Sequence, residues 1–235
     1  MFSSMTADFR RKIQLLLVAA LILAGARTAW ILYERHQDET QTSGKQPPPL
    51  NPDYYVTPKK LYPYDLKTAQ ELTLQPVWVQ VGYAIDYLPY NAATRRADFS
   101  HPAGTFLPLE ELQIEKVTRD SDQLIAVFTK DGRPCAFSIG YIHDSQYRFR
   151  ANDLLFFQDP HQLYSHWPPE IWQAIDQHQV KPGMSELQAA MSVGLGVPQG
   201  GSDSSGNGTL KYANGGHPLV VTYENGKAVE IKSEP

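Results

Sequence analysis

Residues 168–198 read PPEIWQAIDQHQVKPGMSELQAAMSVGLGVP, and this stretch decides what fold the C-terminal third should adopt. Pro168-Pro169-Glu170 opens a helix, because a proline in the first turn removes only an amide that would lack an intrahelical acceptor. Ile171, Trp172 and Ile175 then share one face of that helix. Lys181-Pro182-Gly183-Met184 places Pro and Gly at the two central positions of a type II turn. Ser185 and Gln188 have capping-box spacing, so each side chain can satisfy an otherwise orphan amide of the other. Leu187, Ala190, Met191 and Gly194 line the second helix, and Gly194 or Gly196 ends it ahead of Pro198.

Beyond this pair of helices, residues 200–208 are rich in Gly, Ser and Asn and read as a surface loop. Strands are expected over 210–213, 219–224 and 228–231. Asn225-Gly226 closes the last hairpin tightly, and Asn214-Gly215-Gly216 closes the one before it. The expected module is therefore αα-βββ. The order helix, Pro-Gly-Met-Ser, helix, Leu-Gly-x-Pro, loop, strand, strand, Asn-Gly-Lys, strand over about 168–232 resembles the small BamE-type (SmpA/OmlA) lipoproteins of the outer-membrane β-barrel assembly machinery. That resemblance implies a fold and a protein-binding habit. The chain departs from the pattern in lacking a lipobox cysteine and in carrying a further domain upstream.

Upstream the hydrophobic period changes from helical to alternating. Val77, Val79, Val81 and Tyr83 alternate with Trp78, Gln80, Gly82 and Ala84, the signature of a strand. Further strands are expected over 112–117, 124–129, 135–141 and 153–157, with Lys130-Asp131-Gly132 as a hairpin turn. A short helix at 68–74 follows from the Thr68–Glu71 capping spacing, and 89–104 reads as a long polar loop. Five short strands make a small barrel or strongly bent sheet, and over 76–158 the arrangement resembles an SH3-like barrel. In that fold, ligand grooves are lined by aromatics near the long loop, which implies Trp78, Tyr83, Tyr87 and Tyr90 as the candidate groove. Packing in or at the edge of the core is the competing role for each.

At the N-terminus, Arg10, Arg11 and Lys12 precede the apolar stretch 13–33. About 20 helical residues cross a bilayer core, and flanking cations favour the cytoplasmic side. The expectation is a single-pass inner-membrane anchor with the remaining chain periplasmic, Trp30 and Tyr33 lying at the far interface. The alternative is a cleaved signal peptide and a secreted protein, since the uninterrupted run 15–26 is short and ends in Ala24-Gly25-Ala26. The expected division is 1–35 cytoplasmic end and anchor, 36–53 proline-rich linker, 54–160 SH3-like domain with its lead-in helix, and 161–235 BamE-like module. The fold class expected is thus α+β behind a transmembrane helix.

Chemistry is sparse. The chain carries 21 Lys+Arg against 25 Asp+Glu, net −4, and residues 1–33 hold four of the basic residues and one acid, so the remainder is more acidic still. That balance disfavours nucleic acid. Cys135 is the single cysteine and reads as a small buried hydrophobe. His161 and His166 lie five apart between prolines and lack a metal-ligand spacing. Gly194 to Gly200 departs from a dinucleotide fingerprint, and no nucleophile or phosphate-loop motif occurs. The reading is an extracytoplasmic interaction or assembly protein without catalytic, cofactor or metal site, tethered by its N-terminal helix and bound to an envelope protein partner. A module for a cell-wall polymer or other carbohydrate is the first alternative. An envelope hydrolase using His143, Asp144 or His161 is the second.

Overall fold

The computed structural model describes residues 18, 21, 23, 25–33, 52–203 and 206–234, which fall in two compact units, 1–51 and 52–235. In the first unit the described residues are helical. Among the described residues no helix is long and apolar enough to cross a membrane. The single-pass inner-membrane anchor, and the location drawn from it, are therefore not supported. The physical reason lies in the segment itself: its uninterrupted apolar run is shorter than the roughly 20 residues a span needs, and Arg27 and Thr28 fall within the helix. Residues 36–51 of the expected 36–53 linker lie outside the described residues, and Pro52 and Asp53 belong to the 3₁₀ turn Pro52–Tyr55.

The second unit is built mainly from strands, which replaces the α+β expectation. In chain order these are β1 Val77–Val79, β2 Asp86–Asn91, β3 Arg96–Ala97, β4 Gly104–Thr105, β5 Glu111–Leu112, β6 Ile114–Asp120 and β7 Gln123–Lys130. They continue as β8 Arg133–His143, β9 Gln146–Phe149, β10 Leu155–Phe156, β11 Gly196–Asp203, β12 Asn207–Tyr212, β13 Leu219–Glu224 and β14 Lys227–Ser233. They form three antiparallel sheets: seven strands in the path β3-β2-β8-β7-β6 with β4 on β2 and β9 on β8, three as β10-β1-β5, and four as β11-β12-β13-β14. The two longest helices of this unit among the described residues, Pro169–Asp176 and Glu186–Val193, have eight residues each.

The five-stranded SH3-like barrel gives way to two sheets because the chain changes sheet within one expected strand. Leu112 pairs with Val77 in the three-stranded sheet, whereas Ile114 pairs with Phe128 in the seven-stranded one. Between them Gln113 donates to Thr73 O at 3.0 Å. The strand expected from Val77 ends at Val79, and Tyr83 turns the chain with φ 60°. Part of the expected polar loop forms the end of β2, β3 and the start of β4. Asn91 Oδ1 accepts from Ala93 N and Thr94 N there, an Asx-type turn. The lead-in helix is a 3₁₀ segment, Thr68–Thr73. Its start is organised by Asp65, which accepts from Thr68 N at 2.7 Å, and not by a Thr68–Glu71 box. Those bonds from Thr68 hold the Asp65 carboxyl below its ordinary range.

β7 explains the main core. Leu124, Ala126 and Phe128 face Phe106, Phe137, Val77 and Val79, while Ile125 and Val127 pack with Tyr90 and Ala136 on the other side. A strand covered on both faces reads as a continuous apolar run. The β7–β8 turn has Asp131 and Gly132 at φ 51° and 72°, the type I′ geometry that matches strand twist. The β8–β9 turn has the same geometry at Asp144 and Ser145 without a glycine, which is why no turn is legible there in the sequence.

The C-terminal module keeps the two helices but has four strands, so it is αα-ββββ. The expected Gly/Ser loop is largely a hairpin in which Gln199 pairs with Thr209 and Asp203 with Asn207. Main-chain hydrogen bonds need no side chains, so a Gly/Ser composition does not report them. The capping box forms as read: Ser185 N donates to Gln188 Oε1 at 2.8 Å, and Gln188 N to Ser185 Oγ at 3.3 Å. Ala189 and Val193 of this helix pack on Leu210, Tyr212, Val221 and Tyr223.

Within that layer the Tyr212 and Tyr223 hydroxyls meet at 2.7 Å. Burial is the main cause that pushes both phenols up, Tyr223 to about 12. A raised phenol means the folded state keeps a proton that the unfolded chain releases from an ordinary value of 10.0 upward. The expected result is full stability from this pair below pH 10.0, lost progressively as pH rises through about 12. Urea unfolding of wild type and of a Tyr212→Phe/Tyr223→Phe double variant across that range checks it; the double variant should show the shallower alkaline decline.

Candidate functional site

The short helix Pro160–Leu163 starts with proline and is capped by Asp159, which accepts from His161 N at 2.9 Å. This fixes the His161 imidazole over the Trp172 indole, with ring centres 4.1 Å apart and planes at 27°. Trp172 projects from the helix Pro169–Asp176, and Asp176 lies one turn further along the same face. The stack continues through Trp167, 5.2 Å from Trp172, to Tyr164, 4.5 Å from Trp167. Four rings thus form one column running from a half-exposed imidazole to a buried phenol.

Two carboxylates hold the outer end. His161 Nδ1 lies 3.2 Å from Asp159 Oδ1, and Nε2 lies 3.2 Å from Asp176 Oδ1. A neutral imidazole carries one N–H, so only the doubly protonated ring donates to both. The inner end is tied from upstream: in the turn Pro52–Tyr55, Asp53 Oδ1 accepts from Trp167 Nε1 at 2.7 Å and lies 2.6 Å from His166 Nε2. Burial, with the nearby Asp53 charge, pushes the Tyr164 phenol up.

Beside this column lies an open cleft of ≈ 520 Å³. Trp167, Pro169 and Trp172 supply its apolar side, and Ser165, Gln173 and Gln177 its polar rim. A second cleft of ≈ 300 Å³ adjoins it, walled by Trp78, Leu107 and Leu109 and bearing Glu110 and Glu111. His161 and Asp176 line both clefts and form the rib between them. Two residues of the second cleft, Leu109 and His178, have φ of 54° and 53°. Side chains with a Cβ rarely adopt that region, and such residues cluster where a site must be held in shape.

Of the four aromatics expected to form one groove, Trp78 reaches this site. It lies on β1 opposite Glu111 and Phe156. Tyr83 instead packs against Gly215 and edge-on to His178. Tyr87 lies against Phe106 and Phe128, with the Lys130 ammonium 4.7 Å above its ring. Tyr90 is 8% exposed and packs on the opposite side of the sheet with Ile125 and Val127. Tyr87 and Tyr90 are three residues apart on β2, a spacing that sends side chains to opposite faces, so the four do not converge. Sequence reasoning passed over Trp167, Trp172, His161 and Asp176 as a set. The legible part was the Trp172/Asp176 one-turn spacing; the approach of His161 and Trp167 depends on how the proline-flanked segment folds back.

The titratable groups have separate partners. His161 and His166 engage different carboxylates, and among the described residues no group of three or more His, Cys, Asp or Glu is placed to hold a metal ion. Ser165 shares the cleft with His161 and Asp176, yet both imidazole nitrogens face carboxylates, whereas a nucleophilic serine needs one of them. His143 and Asp144 lie 3.4 Å apart on an exposed hairpin. Cys135 is buried, which pushes its thiol up and away from the reactive thiolate. Comparison of the chain with protein-family models, with curated proteins and with solved structures found no match.

Proposed function

We propose that the protein is a non-catalytic interaction protein that takes a segment of a partner protein into the paired clefts either side of His161 and Asp176. The observation that carries this reading is the preformed rib itself. Its aromatic column is clamped at one end by Asp159 and Asp176 and at the other by Asp53, so little ordering remains when a ligand arrives. The αα module's resemblance to BamE-type proteins implies the same protein-binding habit. A saccharide is the second reading, favoured by the hydroxyl and amide rim of Ser165, Gln173 and Gln177 beside Trp172.

Photo-cross-linking from position 173 and from position 111, with position 232 on the far sheet as control, tests the proposal. Adducts to one and the same protein from 173 and 111, scarce from 232, are expected. Equal labelling from all three positions, or adducts to a polysaccharide, would overturn it.

A further inference from the structure

The rim of the two clefts is chemically one-sided. Glu110, Glu111 and Asp176 line them, and no lysine or arginine does among the described residues. Glu110 is already committed: it pairs with Lys130, and its Oε2 accepts from Leu107 N at 3.0 Å. Glu111 is exposed and has no ion pair among the described residues, and the Asp176 side chain is 56% exposed beside His161. Apolar walls flank both carboxylates, Trp78 and Leu109 on one side of the rib and Pro169 and Trp172 on the other.

Resting on the binding role proposed above, we infer that the occupant is a cationic peptide segment, with arginine or lysine side chains seated at Asp176 and Glu111. The aliphatic stem of such a side chain lies along an apolar wall while its charged head reaches a carboxylate. Arginine adds a planar fork that meets a carboxylate with two parallel bonds. An isolated small cation would leave the walls uncovered, and an anionic polymer would meet three carboxylates and an acidic chain. A neutral saccharide would cover the walls without using the charge of Glu111.

The test titrates the full chain with a short peptide of alternating arginine and leucine, its citrulline counterpart, and a neutral β-linked tetrasaccharide. Calorimetry and intrinsic fluorescence both read the site, because Trp78, Trp167 and Trp172 are three of the four tryptophans. The arginine peptide is expected to bind saturably, and the citrulline peptide about 10-fold more weakly, as loss of charged pairs implies. Asp176→Asn with Glu111→Gln should weaken the arginine peptide by about 10-fold or more, and added salt should weaken it too. The amide at position 176 preserves an acceptor for His161, and an unchanged melting temperature shows that the fold is retained. Glu115→Gln with Glu224→Gln removes the same charge elsewhere and should leave affinity unchanged. Equal binding of the citrulline peptide, equal weakening by the control pair, no binding, or preference for the tetrasaccharide would overturn the inference. Should the peptide fail while positions 173 and 111 still label one protein, the binding role stands and the charge assignment falls.

Discussion

Phe106→Ala is expected to lower the unfolding free energy by roughly 3–5 kcal/mol. Phe106 is 0% exposed, and its ring lies 5.1 Å from Tyr87, 5.4 Å from Phe128 and 5.1 Å from Phe137. Its backbone cannot move to fill the gap, because Phe106 N donates to Ile85 O and Phe106 O accepts from Tyr83 N. Truncation therefore leaves a cavity instead of a collapsed site, and the penalty has both a transfer and a cavity part. Phe106→Leu keeps most of the volume and should fall below about 2 kcal/mol. Chemical denaturation of the three proteins decides the matter; similar midpoints for wild type and Phe106→Ala would refute this account of the core.

Gly82→Ala should cost about 3 kcal/mol or more, at the upper end of overpacking penalties, and should also disturb the second cleft. A Cβ at position 82 would lie 2.2 Å from Pro108 N and 2.3 Å from Pro108 Cα. These are backbone atoms of the segment that carries Leu109, Glu110 and Glu111, so relief requires moving the cleft wall. Retreat in the other direction is blocked because Gly82 O closely faces Gly194, where a Cβ would come within 2.6 Å of it. Gly183→Ala is the informative contrast. Its φ of 87° favours glycine, but an added Cβ there meets nothing within 4 Å, so about 1 kcal/mol of backbone strain is expected. Thermal melts of both variants, with titration of the arginine peptide, read the two effects together. Equal losses at the two positions would show that the Gly82–Pro108 approach is not constraining.

Local structure is legible in the sequence where one residue type carries the signal. The Ser185/Gln188 box, the Asn225-Gly226 turn and the Asp131-Gly132 turn all appear where their side chains require them. The structure departs from the local signals where the deciding partner is remote. The Thr68–Glu71 spacing suggested a box, yet Asp65 supplied the cap. The glycines of β11 suggested a loop, yet β12 offered a row of main-chain partners. The site shows the same division, since Trp172 and Asp176 share a helix face by spacing alone, whereas Glu111, Trp78, His161 and Asp53 reach them only across the fold.

The sequence by itself determined the starts of the helices at Pro169 and Glu186, the tight type I′ turns that contain glycine, the acidic balance and the scarcity of reactive groups. These depend on a residue and its near neighbours, through backbone preference and formal charge. Tertiary structure alone decided that Leu112 and Ile114 belong to different sheets, that Tyr87 and Tyr90 part company, and that His161 lies on Trp172 between two carboxylates. Those outcomes depend on which distant surfaces bury one another. Burial is a non-directional drive proportional to area, so an apolar pattern says that a residue will be covered without saying by what.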